Sequence, residues 1–403
     1  MNILYYIPNL SQDWGGVRQY AKGVLEIMAK DTDNKYFIYH NNSDAEIGKT
    51  LSSNPHLTLV KDSDVRFSSL LLKKSIRQVI NFTNIVFQKL YDTKRMRVLF
   101  KIPNLFIDAI CKQYSIDVIH CPYQFIPKTE KAKLITTLHD VQELHFPEFF
   151  TPNARANRAV NYMDYLSRAD RVIVSYNHIK DDLIKYFQIS EHKIDILLIN
   201  MNDLWINHFS ENDIINVKNI TNDDEFLLYP ANTWKHKNHL NLVRAIALLR
   251  DKFNLNVKII CTGNKTEHFE NINNLVQELN LEKQILFTGI VSEQILYSLY
   301  KTCKAAVVPS LYEAGSFPLY ESILSDVPVI CSNITSLPET ISNEECLFNP
   351  FDIENIALKI KDIWIDEDFR NKTKENLKIA KTKINSNHPL SVLQDIYKKL
   401  ENV

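Results

Sequence analysis

Short continuous runs of apolar and β-branched residues recur along the whole chain, and a stretch with helical spacing follows most of them. A strand that is apolar at consecutive positions is buried on both faces, as in a parallel sheet that helices cover on both sides. The pattern therefore predicts an α/β protein built from doubly wound parallel sheets. The predicted strands are 2–7, 36–39, 118–120, 134–138, 171–175, 226–229, 257–261, 285–288, 305–308 and 327–331.

A polar stretch at residues 207–224 divides these strands into two series that each look complete. A chain of 403 residues is long enough for two or three domains. We expect one domain over 1–206, a second over 207–385, and a terminal helix within 386–403 that could pack back on the first domain. Open parallel sheets bind ligands beyond the carboxyl ends of their strands, so one ligand can lie between the two sheets.

Charge, apolar runs and cysteines argue against several classes of protein. The formal net charge of −1 gives no strong field for a nucleic-acid partner. No run of about 18 apolar residues occurs, so no membrane span is expected, and the apolar start lacks the basic residues of a signal peptide. The six cysteines form no C-x-x-C pair, which favours buried reduced thiols and the cytosol over disulfides or zinc.

The segment 309–322 carries the strongest functional signal. A predicted strand ends, the chain turns at Gly315, and a helix starts with Pro318 in its first turn, where the missing N–H costs nothing. Ser316 can cap this helix. With the helix dipole, the free N–H groups at its start would form an anion site suited to a diphosphate. Those groups belong to Ser316, Phe317 and Leu319.

Two carboxylates flank this predicted anion site: Glu313 on the loop and Glu321 about one turn into the helix. Carboxylates repel phosphate but accept hydrogen bonds from hydroxyl groups, so the pair predicts ribose and sugar hydroxyls beside the phosphates. Two solvated surface glutamates are the alternative. The order of strand, glycine turn, proline and helix favours the functional interpretation.

A basic loop follows the predicted strand 226–229 and leads into another helix. Lys237 at the helix entrance is placed to neutralise phosphate charge, although an ordinary solvated cation is the alternative. His236 and His239 are equally consistent with a site and with a structural role.

Glycine is scarce, with seven in the whole chain, so some positions are expected to be ones where only glycine fits. Four of them follow predicted strands, where backbone can approach a ligand closely: Gly15, Gly16, Gly263 and Gly315. The first pair is not a G-x-G-x-x-G fingerprint, which argues against a dehydrogenase. A tight strand–helix turn is the alternative for that pair.

The strand 134–138 runs into His139 at the edge where open α/β sheets place ligands. A histidine there can contact a ligand or cap the strand through a structural hydrogen bond. Four residues that could be metal ligands follow: Asp140, Glu143, His145 and Glu148. Their spacing fits no standard zinc pattern, so no metal site is predicted.

Glu313-x7-Glu321, with Gly315 and Pro318 between them, resembles the E-x7-E donor motif of the family-four retaining glycosyltransferases. The resemblance covers most of 225–365 and, more loosely, the N-terminal half. It implies the GT-B architecture, in which two Rossmann-like domains flank a cleft. The first domain would then lie on the acceptor side, and the second would bind a nucleoside diphosphate sugar.

Further segments extend the resemblance. Residues 326–332 and 337–339 are similar to the strand and loop that close the donor pocket in the family. Lys237 and Asn238 match a Lys-Asn pair of the family, but Asn232 stands where the family commonly has an arginine. Either Asn232 donates neutral hydrogen bonds, or Lys235 or His236 supplies the missing charge.

The resemblance also implies roles for single residues. The histidine at position 139 would touch the transferred sugar, and it joins Glu313 and Lys237 as a candidate catalytic residue. The N-terminal glycine loop would meet the donor phosphates and the acceptor across the cleft. The donor-binding candidates are Gly15, Gly16, Asn232, Lys237, Gly263, Glu313, Gly315, Ser316, Phe317, Pro318 and Glu321.

The implied activity is retaining transfer of a sugar to an acceptor hydroxyl, with no metal or other cofactor expected. A saccharide or lipid-linked acceptor in bacterial surface polysaccharide or glycolipid synthesis is the expected context. No carboxylate is clearly a nucleophile, so front-side transfer assisted by the leaving phosphate is our hypothesis. The alternatives are an epimerase or phosphorylase of the same architecture and a non-catalytic protein that binds a nucleotide sugar.

One segment, Arg66 to Lys101, is strongly basic, with nine cations against the single acid Asp92 and many bulky apolar residues. It could be a solvated helix pair that covers the sheet. It could equally dock on an anionic membrane, which would place a cytoplasmic enzyme peripherally on the inner face of that membrane.

Overall fold

The computed structural model describes residues 1–8, 15–41, 45–65, 105–201 and 205–401. The basic segment Arg66 to Lys101 lies outside these residues, as do the residues directly before Gly15. The membrane contact therefore stays a prediction from the sequence.

The first sheet has seven strands in the described chain, in the order β3-β2-β1-β4-β5-β6-β7. Every neighbouring pair is parallel. The strands are β1 (Asn2–Tyr6), β2 (Lys35–Tyr39), β3 (Leu57–Val60), β4 (Val118–Cys121), β5 (Lys133–Thr137), β6 (Arg171–Val174) and β7 (Ile194–Ile196).

The second sheet has six described strands in the order β10-β9-β8-β11-β12-β13, again with parallel neighbours. The strands are β8 (Leu227–Pro230), β9 (Ile259–Thr262), β10 (Ile285–Gly289), β11 (Ala305–Val308), β12 (Val329–Ser332) and β13 (Leu347–Phe348). The polar stretch 207–224 lies between the two sheets along the chain.

Helices connect and cover the strands of both sheets. In the first half of the chain they are α1 (Gly15–Ala29), α2 (Ala45–Ser53), α3 (Leu105–Tyr114), α4 (Gln142–His145), α5 (Pro152–Arg168) and α6 (Asn177–Phe187). In the second half they are α7 (Lys218–Thr221), α8 (His239–Phe253), α9 (Phe269–Glu278), α10 (Glu293–Thr302), α11 (Phe317–Leu324), α12 (Ser336–Ile341), α13 (Ile353–Ile365), α14 (Glu367–Asn385) and α15 (Pro389–Glu401).

The doubly wound α/β prediction is confirmed, and all ten predicted strands are present within two residues of their expected bounds. Three further strands, β3, β7 and β13, were not predicted. Each is short, and β7 carries Asp195 at its centre, so none offers a continuous apolar run of the kind that marks the others.

The last helix, α15, leaves the second half of the chain and packs on the first sheet. Tyr397 makes a 2.8 Å hydrogen bond to Nδ1 of the buried His120 on β4. Lys399 donates to Asp195 at 2.7 Å, and Gln394 donates to Asp31 at 2.8 Å. These contacts tie the two halves together on the side of the first sheet that α15 covers.

The cysteines are all free thiols, five of them buried and Cys303 half-buried. Within the described ranges, no helix is long and apolar enough to cross a membrane. In the same ranges, no three His, Cys, Asp or Glu side chains form a group that could hold a metal ion.

Candidate active site

The loop between β11 and α11 lies at the carboxyl edge of the second sheet and reaches across to the first. The hydroxyl of buried Tyr312 accepts the Val141 N–H at 3.3 Å, and its ring packs against His145 and His178. A Cβ built on Gly315 would lie 3.0 Å from the ring of Tyr176 on the first domain. Any larger residue at position 315 would therefore crowd the Tyr176 ring where the two domains approach each other.

The glycine pair after β1, which forms the first two residues of α1, lies near the start of α11. A Cβ built on Gly16 would lie 3.5 Å from the Phe317 ring, an ordinary contact distance. The structure thus brings together two segments that were predicted separately, more than 300 residues apart in sequence.

Glu313 forms the centre of the site. Its side chain is only 5% exposed, and its Oε1 accepts hydrogen bonds from Lys237 at 2.7 Å and from Ser310 at 2.6 Å. Among the described residues, none forms a hydrogen bond with its Oε2. The carboxylate is therefore held through one oxygen, while the other has lone pairs available to a ligand hydroxyl.

Lys237 ends a short 3₁₀ turn, Lys235–Lys237, whose geometry is fixed from two sides. Tyr229 on β8 donates its hydroxyl to the Lys237 carbonyl at 2.8 Å. Asn238, in the left-handed conformation at φ 61°, donates its amide to the carbonyls of Pro309 and Pro350 at 2.9 Å each. The neighbour of Lys237 thereby joins the loops after β8, β11 and β13.

Asn232, which stands where the family commonly has an arginine, connects two loops. Its Oδ1 accepts the Asn264 N–H at 2.7 Å. Gly263 has φ +117°, and a Cβ there would lie 2.8 Å from the Ala231 carbonyl carbon. We predicted that Gly263 lets backbone approach a ligand. What requires glycine in the structure is the neighbouring protein loop.

The start of α11 differs from prediction in two details. Ser316 occupies the N-cap position, but its side chain makes no capping bond, and its buried hydroxyl finds no hydrogen-bond partner among the residues that the structure describes. The Leu319 N–H, expected to be free, donates to the Ser316 carbonyl at 3.1 Å because the first turn is tight. Phe317 is the first residue of the helix, where the backbone N–H has no acceptor within the helix.

Glu321 lies on α11 and is 7% exposed. Its two oxygens accept hydrogen bonds from the Trp205 indole at 2.7 Å and the Tyr300 hydroxyl at 2.8 Å. Burial raises the pKa of the Glu321 carboxyl, and these two hydrogen bonds oppose the rise. Trp205 and Tyr300 were missed; a lone tryptophan beside a polar stretch was the only signal for either of them.

His139 lies at the end of β5, as predicted. Its Nε2 lies 2.9 Å from the Pro122 carbonyl, which can only accept, so Nε2 carries the proton and Nδ1 the lone pair. Burial lowers the pKa of His139, which keeps the ring neutral near pH 7. The Tyr20 ring packs edge-on against it at 5.0 Å.

The two other candidate histidines have different positions. His239 is buried between the rings of Tyr229 and Phe287, and no described residue forms a hydrogen bond with it. Burial, and then the charge of Lys237, lower its pKa to about 3. Burial lowers the pKa of His236 to about 3 as well. Neither ring can supply the missing positive charge at neutral pH.

The group that follows His139 forms ion pairs. Arg158 bridges Asp140 and Glu143, and lies 2.8 Å from the Glu143 carboxylate. His145 lies 2.7 Å from Asp182. Arg158 therefore balances the negative charges of Asp140 and Glu143.

Comparison with known proteins extends these observations. A family model described as glycosyl transferases group 1 matches residues 210–379. The serotype-specific mannosyltransferase WbdA of Escherichia coli is 29% identical over 243 residues, which are 59% of this chain and 30% of that protein. The O-antigen chain mannosyltransferase B of Escherichia coli is 24% identical over 262 residues, 64% of this chain and 68% of that protein. The match thus spans less than a third of WbdA.

Solved structures resemble the chain along its whole length. A sucrose-phosphate synthase from Thermosynechococcus elongatus superposes with a TM-score of 0.68 at 17% identity, covering 100% of this chain and 99% of the other. HepE from Anabaena, solved in complex with UDP and glucose, gives 0.64 at 16% identity over all of both chains. At such identities the likeness shows the fold, which is GT-B. The chain therefore has the GT-B fold, and its residues 210–379 match the family of glycosyl transferases group 1.

Proposed function

We propose that this chain is a retaining glycosyltransferase. It would move a hexosyl group from a nucleoside diphosphate sugar to an acceptor hydroxyl during synthesis of a surface polysaccharide or glycolipid. The observation that carries the proposal is the 2.7 Å pair of Lys237 and Glu313 beside the start of α11. This pair places a cation, which a diphosphate needs, next to a carboxylate that can accept a hydrogen bond from a sugar hydroxyl.

Charge stabilisation on the leaving group is the first part of the chemistry. An ammonium group has three N–H donors, and Lys237 donates one of them to Glu313. The remaining donors, with the Phe317 N–H at the start of α11, can stabilise the negative charge that develops on the diphosphate. The buried hydroxyl of Ser316, which has no protein partner, lies at the same helix start.

Orientation of the sugar is the second part. The Oε2 atom of Glu313 can accept a sugar hydroxyl, and so can Nδ1 of neutral His139 from the other domain. Glu321 would accept a ribose hydroxyl through lone pairs that Trp205 and Tyr300 leave unused.

The stereochemical course follows from how the carboxylates are held. Glu321 is enclosed by Trp205 and Tyr300, and the open oxygen of Glu313 is assigned here to a sugar hydroxyl, so the proposal uses neither carboxylate as a nucleophile. In front-side transfer the anomeric C–O bond to the diphosphate breaks and a bond to the acceptor oxygen forms on the same face. The acceptor proton passes to the departing phosphate oxygen.

The relatives favour one sugar and one pathway. The names of both E. coli proteins describe mannosyl transfer, and one of them refers to the O-antigen chain. We therefore propose a mannosyl donor, and a growing saccharide as acceptor.

The test is a turnover assay with purified protein, GDP-mannose, UDP-glucose and UDP-galactose, each with and without a mannoside acceptor. Nucleotide release that needs the acceptor, with an NMR spectrum showing the donor's anomeric configuration in the product, supports the proposal. Inversion of the anomeric centre contradicts retention. A changed sugar without any acceptor indicates an epimerase, and binding without turnover indicates a non-catalytic partner. Glu313→Gln serves as the inactive control and the exposed Glu375→Gln as its match.

A further inference from the structure

A turn directly before α12 holds an unusual backbone conformation. The Leu337 N–H donates to the Ile334 carbonyl at 3.2 Å, which closes a four-residue turn. Thr335 in that turn has φ 49° and ψ −123°. This is the first central position of a type II′ turn, which glycine normally occupies. A β-branched residue with positive φ is a true outlier, and its folding cost is tolerated only where surrounding structure enforces it.

The side chains of this turn hold the backbone of Glu313. The Glu313 N–H donates to Oγ1 of Thr335 at 3.0 Å. The Ser336 hydroxyl, fully buried, donates to the Glu313 carbonyl at 3.0 Å. Two consecutive residues therefore fix both peptide groups of a glutamate in the loop between β11 and α11, where no regular backbone ladder would do so.

With the contacts of Lys237 and Ser310 to Oε1, Glu313 is fixed at its N–H, its carbonyl and one carboxylate oxygen. Rotation of the peptide would move the remaining oxygen, Oε2, away from the sugar it is expected to meet. Small misplacements of such a group reduce turnover strongly, because the productive geometry is narrow.

We propose that Thr335 and Ser336 are positioning residues for Glu313, and that Thr335 keeps its strained backbone because its hydroxyl holds the Glu313 N–H. The effect on turnover rests on the function proposed above. The effect on the Glu313 backbone does not depend on that function.

The decisive variant is Thr335→Gly, which relieves the strain and removes the hydroxyl together. We expect the midpoint of thermal unfolding to stay equal or rise, while kcat/KM for the active donor falls about tenfold, the range of one lost hydrogen bond. Thr335→Ser keeps the hydroxyl and should retain near wild-type turnover. Asn254→Gly is the matched control, since Asn254 has φ 50° at the end of α8, away from Glu313. It should relieve strain without changing turnover.

Amide hydrogen exchange at Glu313 gives a readout that needs no substrate. Exchange should be faster in Thr335→Gly and unchanged in Thr335→Ser and Asn254→Gly. In a Glu313→Gln background, Thr335→Gly should cost little further turnover, because the two residues act together.

The possible results separate the two proposals. If the wild type turns over no nucleotide sugar while exchange changes as expected, the proposed function fails and the positioning role stands. If Thr335→Gly lowers the unfolding midpoint and turnover together, the threonine is only structural and the positioning role is overturned. Wild-type turnover or unchanged Glu313 exchange in Thr335→Gly overturns it as well.

Discussion

The two carboxylates on either side of the α11 start, with seven residues between them, are held in different ways. Glu313 is paired with a cation, Lys237, and one of its oxygens has no hydrogen bond among the described residues. Glu321 receives only neutral donors, one on each oxygen, and burial raises its pKa. The two glutamates of this motif therefore have different surroundings. The charge of Glu313 is balanced by Lys237 and one of its oxygens is open, whereas Glu321 is enclosed by two uncharged donors.

This difference predicts different tasks. A carboxylate beside a cation at a helix start can respond to charge that appears when the diphosphate departs. A carboxylate under neutral donors is better suited to hold a part of the ligand that does not change during the reaction. We therefore expect changes at Glu313 to act mainly on turnover and changes at Glu321 mainly on binding.

The largest effect is expected from Glu313→Gln. The amide keeps the shape but loses the charge facing Lys237, and loss of one preorganised electrostatic contact typically lowers kcat by about 10²–10³-fold. Binding of the nucleoside diphosphate should not weaken, because Lys237 is then free for phosphate. Steady-state kinetics and titration calorimetry measure the two quantities. Equal losses in kcat and in affinity for the nucleoside diphosphate would contradict the predicted difference between Glu313 and Glu321.

Lys237→Ala should come next. A charge-assisted hydrogen bond contributes about 1.5–3 kcal/mol, so affinity for the nucleoside diphosphate should fall about 10–100-fold. Affinity for the bare nucleoside should change little, since it carries no phosphate. Competition titrations with GDP, UDP and their nucleosides give the comparison. A parallel loss for nucleoside and nucleotide would show that Lys237 has no specific phosphate role.

Glu321→Ala should weaken nucleoside and nucleotide binding alike, by about tenfold for one charged hydrogen bond. The companion variant Trp205→Phe removes the donor to one oxygen and should give a smaller loss in the same direction. Calorimetry with nucleosides is the measurement. Unchanged affinity in Glu321→Ala would refute its assignment to the ribose.

The smallest effect concerns how the stability of the protein depends on pH. The group involved is His239, two residues after Lys237 on the Glu313 side of the site. The pKa of His239 in the folded protein is about 3, below its ordinary value of about 6.5. Between these two pH values, the unfolded state therefore binds more protons than the folded state. Stability is then full above about pH 6.5 and is lost as pH falls toward 3. Between pH 7 and 5.5 the loss from one such group is about 1 kcal/mol.

His239→Phe removes this titration and should flatten the pH slope by that amount in denaturant unfolding. A slope identical to the wild type would mean that His239 does not remain neutral between the rings of Tyr229 and Phe287. The slope is the readout, so a change in baseline stability at pH 7 does not affect the conclusion.

The functional elements of the second domain were largely predictable. The run from β11 through Gly315 and Pro318 into α11 is local, so the order of residues specifies strand, turn and helix start. The position of Lys237 at a helix entrance followed in the same way. The partners of these residues were not predictable, because Ser310, Thr335 and Ser336 are ordinary polar residues whose role depends on what lies beside them.

Two site predictions changed for reasons that only packing reveals. Ser316 has the residue type and place of a helix cap, yet its hydroxyl is buried without a partner. At Gly263 the positive φ and the close approach of the Ala231 backbone already require glycine. Local propensity identified both positions correctly, and the neighbouring segments decided what each position does.

The sequence by itself determined the doubly wound α/β class, ten strands, the two carboxylates and their order around a glycine turn, because hydrophobic periodicity and turn chemistry act over short distances. The tertiary structure alone decided that Lys237 meets Glu313, that Trp205 and Tyr300 enclose Glu321, and that Thr335 holds a glycine-like backbone. Those contacts join residues that lie between 21 and 116 positions apart, and no local pattern encodes which distant side chain will arrive.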